Sequence, residues 1–468
     1  MKRRTFFGAA AGTAAAGLAA TASAAAAKPA TLQLDTTFTT DPKLGRSIPV
    51  NKERAYQVMD EHKLDGLIAL RTINVYYLTN TVTTLTAFGA EYPAFATFPR
   101  KADQPTFLLS SIGNTWETIN AAREVPQVIT MSGAKNWQDY INPTAEKMKV
   151  EPESSGRQGG RFAMREGAQL TEREKGWKRA QEIYGDTSGA GPAWSLVHAM
   201  KQSGMMKGRI AVDDMRIALL LQAIGVEGVT FVDGDNIFRQ IRHVKTENEI
   251  ALLRVAQKLT QDSAMTMARA LAPGMTYEEA RQRFFAEAAA RGGNAGFLLL
   301  GMTQGLLPSG VVKKGESYMM DCSVHFKLYQ GDFARTIMIG EPSAENMRRF
   351  KAQQIAREEA FSIIKAGVPF TKVEQVARDA MVKAGMPKDI PTISLHSIGL
   401  QHGDDPGRMD TPYAVRPELV LAENMTVTLD LPYLQVGQGG GHNEDMLRIT
   451  KTGYEILNDP KDPLVVVG

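Results

Sequence analysis

Two aspartates in a stretch that otherwise reads as β-sheet constrain this chain more than any other feature. Residues 320–340, MDCSVHFKLYQGDFARTIMIG, have the β-branched, aromatic and aliphatic content of two strands with a turn between them. Asp321 and Asp332 lie in that stretch, eleven positions apart. A carboxylate turned toward a packed core is costly unless a cation or a hydrogen-bond donor meets it. A hairpin with its turn near the middle sets residues at this spacing side by side, on faces fixed by alternation. The spacing alone equally suits a pair of turn or edge residues.

More ionisable residues stand in strand-like segments. His396 sits in SLHSIGLQHGDDP, Asp430 in TVTLDLP, and Glu444 and Asp445 open EDMLRIT. Brought together, these carboxylates would repel one another at neutral pH. One divalent ion, or two, removes the repulsion, and one imidazole among several carboxylates suits Mn, Fe, Co or Zn. Two such ions can hold one hydroxide between them.

The rest of the chain sets the fold class. Asn51–His62 reads as a helix with Ala55, Val58 and Met59 on its apolar face. LDGLIAL (64–70), NVYYLTNT (74–81), AFATFP, PTFLLS, RIAVDD (209–214) and GVTFVDG (228–234) read as strands, and the charged, Gly-rich 150–176 as a surface loop. This predicts an α/β domain over 48–240. Beyond it, helices mix with strands joined by short turns, which predicts an α+β domain with an antiparallel sheet over 241–460. Three helices there share a Thr-x-x-Glu start, at Thr246/Glu249, Thr276/Glu279 and Thr371/Glu374. In such a start the hydroxyl accepts from a helix amide and the Glu reaches back. A fourth helix starts at Ser343.

The first 27 residues read as an export signal. Lys2-Arg3-Arg4 leads an Ala/Gly-rich stretch with small-residue cleavage sites such as Ala22-Ser23-Ala24. Arg3-Arg4-Thr5-Phe6-Phe7 resembles a twin-arginine signal, so a periplasmic protein is expected, with no membrane attachment after signal removal. Ala and Gly make the stretch a poor anchor. Residues 28–47 read as an extended lead-in. A formal net charge of +3 over 468 residues, with no basic run interleaved with aromatics, predicts no nucleic-acid partner. With Cys322 as the single cysteine, no internal disulfide is available.

These motifs together resemble the metallopeptidase family of aminopeptidase P, prolidase and methionine aminopeptidase. Asp321 followed by Asp332-Phe-Ala-Arg335-Thr336 is similar to the family's aspartate and Asp-x-x-Arg-Thr. His396 in HSIGL resembles its HGIGL, Asp430 falls where it has Val-x-Thr-x-Glu-Pro, and Glu444-Asp445 resembles its closing Glu-Asp. LDGLIAL and NVYYLTN resemble the creatinase-type N-terminal domain. The resemblance implies a C-terminal pita-bread domain after a smaller α/β domain, and a homodimer. It implies that Asp321, Asp332, His396, Asp430 and Glu444 hold two divalent ions. A hydroxide between the ions would attack a peptide carbonyl, as in an Xaa-Pro aminopeptidase or dipeptidase. His402 would steady the oxyanion, and Asp430 would help move protons.

Four positions depart from the family pattern. Asp430 replaces a Glu, His402 follows His396 by six positions where seven is usual, and Thr392 replaces a His of proline-specific members. His442, read as a substrate contact, stands where those members often have Arg. The short Gly-rich link between Asp430 and Glu444 is similar to the dimethylsulfoniopropionate lyase branch of the fold. A lyase or amidase on a small polar substrate, and a metal-free binding protein on the same fold, are therefore the alternative expectations.

Overall fold

A computed structural model describes residues 44–110, 127–155, 163–183, 188–301, 308–407, 417–461 and 463–468. The signal segment and the lead-in up to residue 43 lie outside the described residues.

The chain first builds a seven-stranded sheet from β1 (Gly66–Ala69), β2 (Ala94–Pro99), β3 (Phe107–Ser110), β4 (Gln127–Ser132), β5 (Ser188–Ala190), β6 (Gly208–Val212) and β7 (Val229–Asp233). Their order is β5-β4-β3-β2-β1-β6-β7. The pairs β1/β2 and β2/β3 are antiparallel, while β1/β6 and β6/β7 are parallel. Strands β1, β2 and β3 are buried along their whole length, as expected of strands covered by helices on both faces.

One element of this region overturns the sequence reading. NVYYLTN is the helix Thr72–Thr79, not a strand, and it ends on Asn80 in the left-handed region at φ 55°. Every residue from Asn74 to Thr79 is buried, so the segment shows no polar face and no helical period. With the period hidden, Val75 and the two tyrosines mimic strand composition.

The remaining strands are β8 (Asn294–Leu300), β9 (Ser317–Phe326), β10 (Tyr329–Gln330), β11 (Phe333–Ile339), β12 (Ser394–Ser397), β13 (Thr426–Asp430), β14 (Tyr433–Gln435), β15 (Gly439–Gly441), β16 (Met446–Ile449), β17 (Tyr454–Ile456) and β18 (Leu464–Val467). One sheet runs β10-β9-β11-β18 with β8 also on β9; a second runs β12-β13-β16-β17. The turn after β9 places Lys327 and Leu328 at φ 47° and 67°, a pair of left-handed residues that matches the twist of a tight hairpin.

Helices Glu247–Arg269, Tyr277–Ala290, Ala344–Ile363 and Phe370–Lys383 pack beside these sheets. The capping boxes at Thr246/Glu249 and Thr276/Glu279 form as expected, and Ser343 caps its helix. The third Thr-x-x-Glu start does not form. That helix begins after Pro369, so Thr371 lies inside it and bonds the Glu418 carboxylate at 2.9 Å. Pro369 is its N-cap, and the Pro369 carbonyl accepts from the Val373 N–H at 3.4 Å, so the first turn is set ahead of Thr371. Among the described residues no helix is long and apolar enough to cross a membrane.

Candidate metal centre

Hairpin register decides where the two aspartates go. Strand β11 pairs with β9 so that Ala334 faces Asp321 and Phe333 faces Cys322, which puts Asp332, just before β11, beside Asp321. Cys322 alternates to the core side and is fully buried. In the second sheet His396 on β12 faces Thr428 of β13, and Ser394 faces Asp430 at the end of β13. Glu444 precedes β16 and bridges the two sheets, its N–H donating to the Ala334 carbonyl at 3.1 Å.

All five acids and imidazoles expected to bind metal therefore converge. His396 Nε2 lies 3.5 Å from Asp430 Oδ2, 3.7 Å from Asp332 Oδ2 and 3.9 Å from Glu444 Oε1. Three triads offer atoms within 4.8 Å of one another: His396/Asp430/Glu444, Asp332/His396/His402 and Asp321/His442/Glu444. His402 Nε2 is 3.0 Å from Asp332 Oδ2, and its half-exposed ring meets Phe297 edge-on. His442 is 2% exposed, with Nε2 4.0 Å from Glu444 Oε2.

The chemistry of these groups calls for a cation. Both oxygens of Asp332, both of Glu444 and Oδ1 of Asp321 are buried and receive no hydrogen bond. A buried ionised oxygen left that way is strongly disfavoured. Burial, reinforced by the neighbouring Asp332 and Asp430 charges, pushes Glu444 and Asp321 well above the usual carboxylate range. Burial acts on Asp430 too, yet the adjacent His396 outweighs it and holds Asp430 well below that range. Without a cation the cluster must hold protons instead. The donor set, carboxylates with imidazole, fits divalent ions of the Mn, Fe, Co or Zn type.

A scaffold of polar groups aims these donors. The His396 Nδ1 sits 3.2 Å from the Ser397 carbonyl, so Nε2 is the nitrogen turned toward the carboxylates and the Thr428 hydroxyl. The Ser394 hydroxyl donates to Asp430 Oδ2 at 2.6 Å. Arg335 donates to the Glu444 carbonyl at 2.8 Å and to Asp445 Oδ1 at 2.9 Å; Arg357 and Asn458 complete the grip on Asp445. The Arg-Thr and Glu-Asp motifs are thus two halves of one brace. Thr336 completes it by accepting from the His442 N–H at 3.1 Å.

Two positioning residues carry no sequence signal of that role, and Glu374 reads instead as part of a helix start. Gln257, on the Glu247–Arg269 helix, accepts from the Asp332 N–H and donates to the Asp332 carbonyl, both at 2.7 Å. Glu374 accepts from the Leu395 N–H at 2.9 Å and so steadies the strand that carries His396. Both sit in the body of helices, where Gln and Glu are common for reasons unrelated to any site.

The sequence model of metallopeptidase family M24 matches residues 251–451, the segment that supplies all five expected ligands with His402 and His442. This part of the chain is an M24 metallopeptidase domain. An uncharacterized peptidase of Staphylococcus aureus (strain MSSA476) is 26% identical over 236 residues, covering 49% of this chain and 66% of that protein. The chain thus spans just under two thirds of that relative's length. "Probable dipeptidase PepE" of Mycobacterium bovis is 28% identical over 274 residues, covering 55% of this chain and 70% of that protein.

Solved structures extend the likeness beyond the M24 domain. An Xaa-Pro dipeptidase from Bacillus anthracis matches with a TM-score of 0.62 at 18% identity, covering 89% of this chain and 98% of that one. An X-Pro aminopeptidase from Thermotoga maritima matches with 0.59 at 18%, covering 89% and 99%. At such identity the likeness establishes the fold: an N-terminal α/β region and a C-terminal pita-bread domain.

Proposed function

We propose that this protein is a dinuclear metal-dependent hydrolase that cleaves small peptides near their amino terminus, with Xaa-Pro bonds as the first candidates. The observation that carries the reading is the set of five buried carboxylate oxygens without donors, gathered around His396 in an M24 domain. Asp321, Asp332, His396, Asp430 and Glu444 would hold the ions. Bound there, divalent ions supply Lewis-acid polarisation of a carbonyl and an activated water at neutral pH.

The chain's own residues do the rest. His402 is half-exposed at the edge of the cluster, where an Nε2 proton can meet charge developing on a substrate oxygen. Asp430 is partly exposed and oriented by Ser394, so it is the acid placed to exchange a proton with a substrate. The buried Arg335–Asp445 pair keeps the two sheets in register beneath them.

One observation favours a second reading. Asp430 is a shortened acid whose Oδ2 is already engaged by Ser394, an arrangement suited to a site specialised away from peptides. An elimination or amide cleavage on a small polar substrate would use the same donors. The export signal supports a periplasmic enzyme, and family habit a homodimer.

The test is metal content by mass spectrometry on the mature protein, followed by a panel of Xaa-Pro peptides, cyclic amides and sulfonium compounds. Two ions per chain with peptide turnover supports the peptidase. Two ions with turnover of the small polar compounds alone moves the assignment to the second reading. No ion after exposure to Mn, Fe, Co and Zn leaves a binding protein.

A further inference from the structure

The Gly-rich segment before Glu444 delivers a second imidazole to the acidic cluster. Strand β15 is Gly439–Gly441, and each glycine lies where a side chain would collide. A Cβ on Gly439 would come within 2.5 Å of the Ser317 carbonyl at the start of β9. One on Gly441 would come within 2.7 Å of the Tyr433 ring and 2.8 Å of the Thr336 hydroxyl. The bare backbone therefore lies directly against β9, β11 and β14, and the next residue, His442, is carried inward. Thr336 fixes it there, bonded to both its N–H and its carbonyl at 3.1 and 3.2 Å.

The ring of His442 has nothing else to do. It is 2% exposed, and Nδ1 has no hydrogen-bond partner. The atoms it shares with Asp321 and Glu444 lie within 4.8 Å of one another, next to two carboxylates that also lack donors. Arg, the residue that the resemblance leads one to expect here, cannot ligate, because it carries donors and no lone pair. Histidine can.

We propose that His442 is a metal ligand, joining Asp321 and Glu444, so that each of the two ions has its own buried imidazole: His396 for one and His442 for the other. This rests on the dinuclear reading above. It replaces the substrate-contact role expected from the sequence. An added nitrogen donor at an otherwise all-oxygen subsite shifts its preference from Mn toward Co or Zn.

Metal stoichiometry and the visible spectrum of the Co(II)-loaded protein decide it, compared among wild type, Asp332→Ala, His442→Asn and His442→Arg. With His442 as ligand, both His442 variants hold one of the two ions at least about 100-fold more weakly, on the scale set by losing even an outer partner of a ligand, and the Co(II) bands change. If both variants keep two ions with wild-type affinity and spectrum, the inference is overturned while the dinuclear reading stands. If wild type itself binds no ion, both fall.

Should the His442 variants fail to fold, the His402→Ala protein loaded with Co(II) answers by proton NMR. Two paramagnetically shifted, solvent-exchangeable imidazole N–H signals are expected, and a single one overturns the proposal.

Discussion

Two clusters of buried charge lie within this chain, and they are built on opposite plans. Where the seven-stranded sheet meets the M24 domain, every buried carboxylate has a donor. Arg242 binds Asp404 through Nη2 at 2.5 Å and also meets Asn74 and Gln401. Asp213 accepts from the Leu70 and Arg71 amides and from Asn74, at 2.7, 3.1 and 2.8 Å. At the metal centre the carboxylates face one another, and five oxygens have no donor. A protein can carry buried negative charge by supplying its own cations or by recruiting them from solution. The first plan makes a joint and the second makes a site.

The comparison is most exposed to failure at Asp332. Asp332→Ala should abolish stoichiometric metal binding and reduce turnover by at least about 10³-fold, because it removes both a ligand and the partner of His402. Retained metal, read by mass spectrometry, would sink the assignment. Next in size, Arg242→Met should cost roughly 3–5 kcal/mol of stability in denaturant melts, since it strands Asp404 in the interior. Metal content should not change.

Removing a carboxylate from the metal centre should have the opposite sign. In metal-free protein, Glu444→Gln should raise the melting temperature, by about 1 °C per kcal/mol for a chain of this length. It relieves repulsion that the joint does not have. A melting temperature that falls instead would mean that the two clusters are not different in kind.

The same contrast predicts a pH dependence. Glu444 and Asp321 have folded pKa values above their unfolded ones. The metal-free folded chain therefore holds protons that the unfolded chain has lost. What these two groups contribute to its stability is greatest below the unfolded range near pH 4 and is lost as pH rises, by about 1.4 kcal/mol per unit for each such group. Ions displace those protons, so the metal-loaded protein should show a weaker slope between about pH 5 and 8. Equal slopes in calorimetry would refute this. The smallest effect belongs to Ser394→Ala, which should leave metal content intact and lower turnover by about 10-fold, the low end of the scale of one hydrogen bond to a charged acceptor.

The candidate metal centre stands out in the sequence because its chemistry violates the local pattern. Asp321, Asp332 and Asp430 stand out in strands that would otherwise be apolar, and His396 and Glu444 come next in motif order. The surroundings of these residues are not legible. Arg335 and Asp445 are visible as letters of two motifs, but their pairing across 110 positions depends on how two sheets face each other. Gln257 is one ordinary helical residue, and only the docking of its helix gives it meaning. The helix at Thr72–Thr79 reads as a strand because complete burial erases the polar face that reveals a helical period. The glycines before His442 give no hint in the sequence that they set its ring beside Asp321 and Glu444.

Gln257 also ties assembly to chemistry. One amide occupies both hydrogen-bonding groups of the Asp332 backbone, as a neighbouring strand would. Gly331, just before, leaves no room for a side chain against the same helix, since a Cβ would sit 2.5 Å from the Ala256 carbonyl. Docking of the helix Glu247–Arg269 thus completes the placement of Asp332 that the hairpin begins. Metal uptake is therefore expected to come late in folding. Refolding followed by intrinsic fluorescence and by metal uptake should show uptake lagging behind collapse, and Gln257→Ala should lengthen the lag.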